Sequence, residues 1–147
     1  MTKLALLFDA SSLLTLIKEL RGRAPDLLLE GSTISLAYYE VGNALWRECF
    51  LLQRIGPEEA SQLLKAIFAI LRAMDVTLLK DEELGNAILK LAGELKITYY
   101  DAAYITEAQR SNKILVTDDE KLIKAAESRG IKTLTSKMTS KQKRLKP

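Results

Sequence analysis

Asp9 ends the apolar run of LLFDASSLL (6–14), Glu40 stands inside YYEVGNALW, Asp101 opens DAAYITEA after Thr98, Tyr99 and Tyr100, and Asp118 and Asp119 close KILVTDD. Carboxylates in such places have a local use and a chemical one. Asp and Ser accept the orphan amide bonds of a helix start, so Asp9, Ser11, Ser12 and Asp118 suit N-caps, and Asp101 suits the positive end of a helix dipole. Glu40 is different: a carboxylate among Tyr38, Tyr39, Val41, Leu45 and Trp46 is costly unless a base such as Arg47 or a metal pairs with it. Four or five carboxylates gathered in one low-dielectric place repel one another and raise their own pKa values unless a cation neutralises them. The chain has no histidine and a single cysteine, Cys49, which excludes Ser-His-Asp and Cys-His nucleophiles and an ordinary zinc site. An all-oxygen donor set points instead to Mg2+ or Mn2+. The chemistry open to such a site is phosphodiester hydrolysis, in which water is activated and the leaving oxygen stabilised.

These acids work together only if the fold brings them together. KLALLF (3–8), STISL (32–36), VTLLK (76–80), KILVT (113–117) and KTLT (132–135) read as short strands. Between them, helical apolar spacing runs over 11–21, 37–53, 57–74, 82–95, 98–112 and 119–130. Gly56-Pro57 separates the second helix from the third, Asp81 suits a cap, and Gly130 suits a helix stop. Residues 22–31, with Arg23, Pro25 and Asp26, read as a loop. Alternation of this kind predicts an α/β fold with a parallel sheet between helices. In such a sheet the carboxyl ends of all strands open to one edge, where ligands bind. Asp9 and Asp118–Asp119 follow two strands directly, and Glu40 and Asp101 lie early in two helices that start near that edge. Asn43, three residues after Glu40, shares its helix face.

Length and composition agree with one soluble domain: 147 residues, 48% apolar and 28% charged, enough for a single core. No apolar run approaches the roughly 18 residues of a membrane span, so a cytoplasmic protein without a membrane partner is expected. No phosphate-binding glycine loop follows any strand, which argues against a nucleotide cofactor. The net charge of +3 is uneven: the last eleven residues hold five of the 22 bases and none of the 19 acids, leaving the remainder at −2. A basic tail over 137–147 attracts polyphosphate or merely solubilises a frayed end. QLLKAIFAILRAM (62–74) is apolar on more than one face, which fits deep burial or a surface shared with a partner.

LLFDASSLL, YYEVGNALW, TYYDAAYITEA and LVTDDEKLIKAA, in this order, resemble the four acidic motifs of PIN-domain ribonucleases, specifically the VapC-type toxins of toxin–antitoxin pairs. The resemblance covers residues 3–135 and implies a three-layer α/β/α PIN-like fold around a mostly parallel sheet of about five strands. A nuclease domain over 1–136 would then be followed by the basic C-terminal tail. The resemblance marks Asp9, Glu40, Asp101 and Asp119 as catalytic, metal-binding acids and Ser11, Asn43 and Thr117 as supporting polar residues. The usual last motif, Thr-x-Asp, selects Asp119, but Asp118 is also present and stays a candidate metal ligand. Mg2+ or Mn2+, an RNA substrate, a homodimer and a cognate antitoxin inserting a peptide into the active-site groove are implied likewise. A related metal nuclease of RNA processing or DNA flaps, and a non-catalytic RNA- or protein-binding module, are the competing readings.

Overall fold

A computed structural model describes residues 5–145, and their side chains as far as Lys141. Five strands form one sheet: β1 (Leu6–Phe8), β2 (Ser32–Ile34), β3 (Asp75–Thr77), β4 (Ile114–Val116) and β5 (Thr133–Leu134). Their order is β3-β2-β1-β4-β5, and every pairing is parallel. Leu7 stands opposite both Ser32 and Leu115, which puts β1 at the centre. The expected first strand begins at residue 3; residues 3 and 4 lie outside those described.

Each strand is two or three residues long. Side chains alternate across a strand, and Phe8 and Val116 join one buried cluster with Leu13, Val41 and Ile67. Leu7 and Leu115 join the other, with Ile88, Tyr104 and Leu122. The first cluster is covered by α1 (Ala10–Leu20), α2 (Ala24–Leu28), α3 (Leu36–Trp46) and α4 (Pro57–Ala73). The second lies under α5 (Glu82–Leu95), α6 (Tyr99–Arg110) and α7 (Glu120–Glu127). The result is the three-layer α/β/α arrangement that alternating strands and helices require. Gly31, just before β2, is where a side chain has no room: a Cβ there would stand 2.3 Å from the Phe8 ring, one residue from Asp9.

Three elements differ from the sequence expectation. The loop over 22–31 contains α2, whose Ala24, Leu27 and Leu28 are buried and whose Pro25 sits in the first turn; five residues are too few to display a helical period. The helix expected to Gln53 leaves α-geometry at Arg47–Leu51, a π-helical turn. The basic tail is a helix, α8 (Ser136–Leu145), with Ser136, Thr139 and Ser140 buried. The 136/137 boundary therefore falls within its first turn, and α8 packs along α1. The apolar helix 62–74 is used mainly by its own domain: Ile67, Ile70, Leu71 and Met74 are buried, and Leu63, Leu64 and Phe68 pack against the same core. Cys49 is buried and unpaired, as a small hydrophobe would be.

Candidate active site

Asp9 leaves the end of β1 still hydrogen-bonded to the sheet, its amide donating to the Val116 carbonyl at 3.1 Å. Asp9 is 6% exposed, and both its carboxylate oxygens are hydrogen-bonded. Oδ1 accepts from the Ser12 amide at 2.9 Å, capping α1, and from Ser11 Oγ at 3.0 Å. Oδ2 accepts from Thr117 Oγ1 at 2.5 Å. Thr117, wholly buried after β4, also accepts from the Asp119 amide at 3.1 Å. One hydroxyl thus ties the first acidic segment to the last. The local reading of Asp9 holds, and the cap fixes the carboxylate at the mouth of the sheet.

Glu40 projects from α3, in one helical layer, and meets α6 of the other layer over the carboxyl edge of the sheet. There Tyr104, 2% exposed, donates its hydroxyl to Glu40 Oε1 at 2.7 Å. Thr98 caps α6 by accepting the Asp101 amide at 3.0 Å, and the Asp101 carboxylate stands at the helix start with no hydrogen bond among the described residues. Asp119 caps α7, accepting from the Lys121 amide at 3.0 Å. Asp9, Glu40, Asp101 and Asp119 line one cleft of about 400 Å3 with Ser11 and Tyr104.

The charges in the cleft oppose one another. Burial pushes the Asp9 carboxyl up, against the pull of its hydrogen bonds from Thr117, Ser12 and Ser11. Burial also raises Glu40, with the charges of Asp9 and Asp101 adding to it, while the Tyr104 hydrogen bond lowers it. Asp101 is raised by burial and by the charges of Asp119 and Asp9. Tyr104 is pushed well above its ordinary range, by burial first and then by the charge of Glu40, so it remains a donor. A protein that buries carboxylates among carboxylates is set up for a cation.

The donor set fits a hard divalent ion. Among the described residues no group of three or more acidic side chains is close enough together to hold a metal as it stands; the oxygen donors of the cleft are of the kind that Mg2+ takes a few of while keeping several waters. Asp118 lines the same cleft, and its oxygens accept from the Ser136 amide at 2.8 Å and Ser136 Oγ at 2.6 Å, so it also docks α8. Asn43 is exposed and is not among the residues lining the cleft. Sequence reasoning misses Tyr104, although three residues after Asp101 is a helical spacing that puts it beside the same cleft. It misses Glu107 as well. Glu107 is 3% exposed, accepts from Thr77 Oγ1 and Ser111 Oγ at 3.0 and 2.7 Å and pairs with Arg110. It sits in the wall of a separate apolar groove with Tyr39, Leu79, Tyr99 and Tyr100.

No family model matches the sequence. Among curated proteins, the chain is 36% identical over 90 residues to Exonuclease VapC9 of Pyrobaculum aerophilum, a match spanning 61% of this chain and 62% of that protein. It is 32% identical over 122 residues to Ribonuclease VapC3 of the same organism, spanning 80% of this chain and 91% of that one. The crystal structure of PAE2754 from Pyrobaculum aerophilum superposes with a TM-score of 0.71 at 27% identity, covering 91% of this chain and 92% of the other. A toxin–antitoxin complex from Klebsiella pneumoniae contains a chain of the same fold, with a TM-score of 0.58 at 17% identity and coverage of 81% and 90%.

Proposed function

The chain belongs to the VapC family of PIN-domain nucleases, and on that premise we propose that it is a divalent-metal-dependent endoribonuclease, the toxin of a toxin–antitoxin pair. The observation that carries this reading is the cleft in which Asp9, Glu40, Asp101 and Asp119 meet although burial and mutual charge oppose their ionisation. Such an arrangement is costly in a binding module and useful in a metal hydrolase.

Asp9, Glu40, Asp101 and Asp119 are the residues that would hold Mg2+ or Mn2+. When bound, the ion supplies charge to neutralise the scissile phosphate and the departing oxygen, and acidifies water. The chain's own residues do the rest. Asp9 is immobilised by Ser11, Ser12 and Thr117, and Thr117 keeps the Asp119 backbone in register with it. Tyr104 fixes one oxygen of Glu40. The Asp101 carboxylate stands at the start of α6 with its amide, not its side chain, engaged by Thr98; with the second oxygen of Glu40 it is the group left to take a proton from the attacking water. Hydrolysis then joins that water's oxygen to phosphorus as the bond to the leaving oxygen breaks.

The partners of this reading are an RNA strand, a second copy of the chain and a cognate antitoxin. Trp46, Phe50 and Leu51 are 50, 63 and 58% exposed at the end of α3 and its π-helical turn, an apolar strip of the kind that a protein partner covers. The toxin–antitoxin assembly containing a chain of this fold supports a protein partner.

The test is incubation of a mixed-sequence RNA, labelled at either end, with protein freed of copurifying chains, in Mg2+ or Mn2+ and then in EDTA. Internal cuts that require the metal are expected. Shortening from one end only would replace endonuclease by exonuclease action, and absence of any cutting would favour the binding module.

A further inference from the structure

We propose that α8 is a phosphate-backbone track, a basic helix moored to the rim of the acid cleft that holds a single-stranded RNA as its scissile bond enters. The inference rests on RNA being the substrate and concerns a surface outside the acid cluster. Three observations carry it.

The first is that the helix is built into the fold. Asp118 accepts from both the amide and the hydroxyl of Ser136, and Thr135 Oγ1 accepts from the Met138 amide at 3.2 Å. Two orphan donors of the first turn are thereby satisfied. Ser136, Thr139 and Ser140, spaced i, i+3 and i+4, are 4, 2 and 6% exposed and form a small-residue seam. The helix is in contact with α1, which Asp9 caps.

The second is position. Asp118 lines the cleft and at the same time holds the start of α8, so one side chain separates the helix from the cleft wall. Its neighbour Asp119 faces the other acids.

The third is charge. Lys137, Lys141, Lys143 and Arg144 all lie in α8, which contains no acid. Lys137 sits in the first turn, where a helix dipole disfavours a cation, and Lys141 follows at i+4, where like charges repel. Lys137 and Lys141 are exposed, and neither forms an ion pair among the described residues. A helix charged against its own interests gains when a polyanion lies along it. The substrate needs that gain, since phosphates approach a body of net charge −2 outside the last eleven residues and a cleft of carboxylates.

The experiment uses the full chain carrying Asp101→Asn, in EDTA so that nothing is cut, with a short fluorescent single-stranded RNA titrated over a series of salt concentrations. Replacing Lys137, Lys141 and Arg144, spaced i, i+4 and i+7, together by Gln should flatten the plot of log affinity against log salt. The slope should fall by about 0.7 for each phosphate no longer neutralised, to a limit of about 2.1. Lys65→Gln, Arg72→Gln and Lys80→Gln, the same charge removed elsewhere, should change it little. Lys137→Arg and Lys141→Arg should retain the slope. Equal slopes in the α8 and control variants, no RNA binding by the parent chain, or tighter binding of polyglutamate than of RNA would each overturn the track. Cleavage by the wild-type chain reports separately: cutting with an unchanged slope removes the track and spares the nuclease, whereas a flattened slope without cutting does the reverse.

Discussion

Tyr104→Phe removes one oxygen from a buried ring and leaves the ring's place in the core beside Leu7, Ile88 and Leu122 intact. What disappears is the 2.7 Å hydrogen bond to Glu40 Oε1. A hydrogen bond to an ionised group is worth roughly 1.5–3 kcal/mol, and because Glu40 is only half-buried the lower end applies, about 1.5 kcal/mol. That energy favours the charged carboxylate. The Glu40 pKa is already raised by burial and by Asp9 and Asp101, with Tyr104 pulling it down, so the variant moves it further up. At about 1.4 kcal/mol per pH unit, the acid limb of the pH profile of kcat/KM should move to higher pH by about one unit. Divalent ions bind the deprotonated form, so on that limb Mn2+ affinity, read by electron paramagnetic resonance, should weaken about tenfold. Slower cleavage with the limb and the Mn2+ affinity both unchanged would refute the role given to Tyr104 as the residue that positions Glu40.

Substitution of the acids should separate by their surroundings. Asp101→Asn removes a charge that Asp119 and Asp9 oppose, so the metal-free protein should melt higher, by about 2 to 4 °C if about 1 kcal/mol is relieved, while the stabilisation given by Mn2+ disappears. Asp9→Asn should melt lower instead, because an amide cannot accept from Ser11, Ser12 and Thr117 together; thermal unfolding of both variants decides. With Asp9, Glu40 and Asp101 raised in the fold, the native state holds more protons than the unfolded chain above about pH 4. Stability without metal should therefore fall as pH rises from the ordinary carboxylate range through the raised values, and Mg2+ should reverse the trend. Asp118→Ala should cost about 1 kcal/mol through the loosened start of α8 and leave the Mn2+ affinity of the chain unchanged, as measured by chemical denaturation and calorimetry.

The parts of the fold that are legible in the sequence are those with a period or a punctuation mark. Gly56-Pro57, Asp81 and the alternating apolar runs place α4, α5 and the five strands to within a few residues. Asp9 after β1 and Asp119 after β4 can be assigned to one edge because parallel strands all end there. What is illegible depends on tertiary context. α2 is one turn and a half, and its identity as a helix comes from burying Leu27 and Leu28. α8 is poor in apolar residues, and its seam is made of Ser and Thr, which read as a polar tail. Asp118 and Asp119 are chemically identical neighbours; the Thr-x-Asp spacing favours Asp119, but that Asp118 receives Ser136, eighteen residues on, is a tertiary contact. Tyr104 pairs with a residue 64 positions away, a contact no local pattern announces.

Whether Asp9, Glu40, Asp101 and Asp119 form the metal centre is tested most directly by anomalous diffraction from crystals soaked in Mn2+, of the wild type and of Asp101→Asn. The predicted result is a peak in the wild-type cleft coordinated by carboxylates of that set, with Ser136 still on Asp118, and no peak in the variant. A peak seated on Asp118 or outside the cleft, or an unchanged peak in the variant, would contradict it.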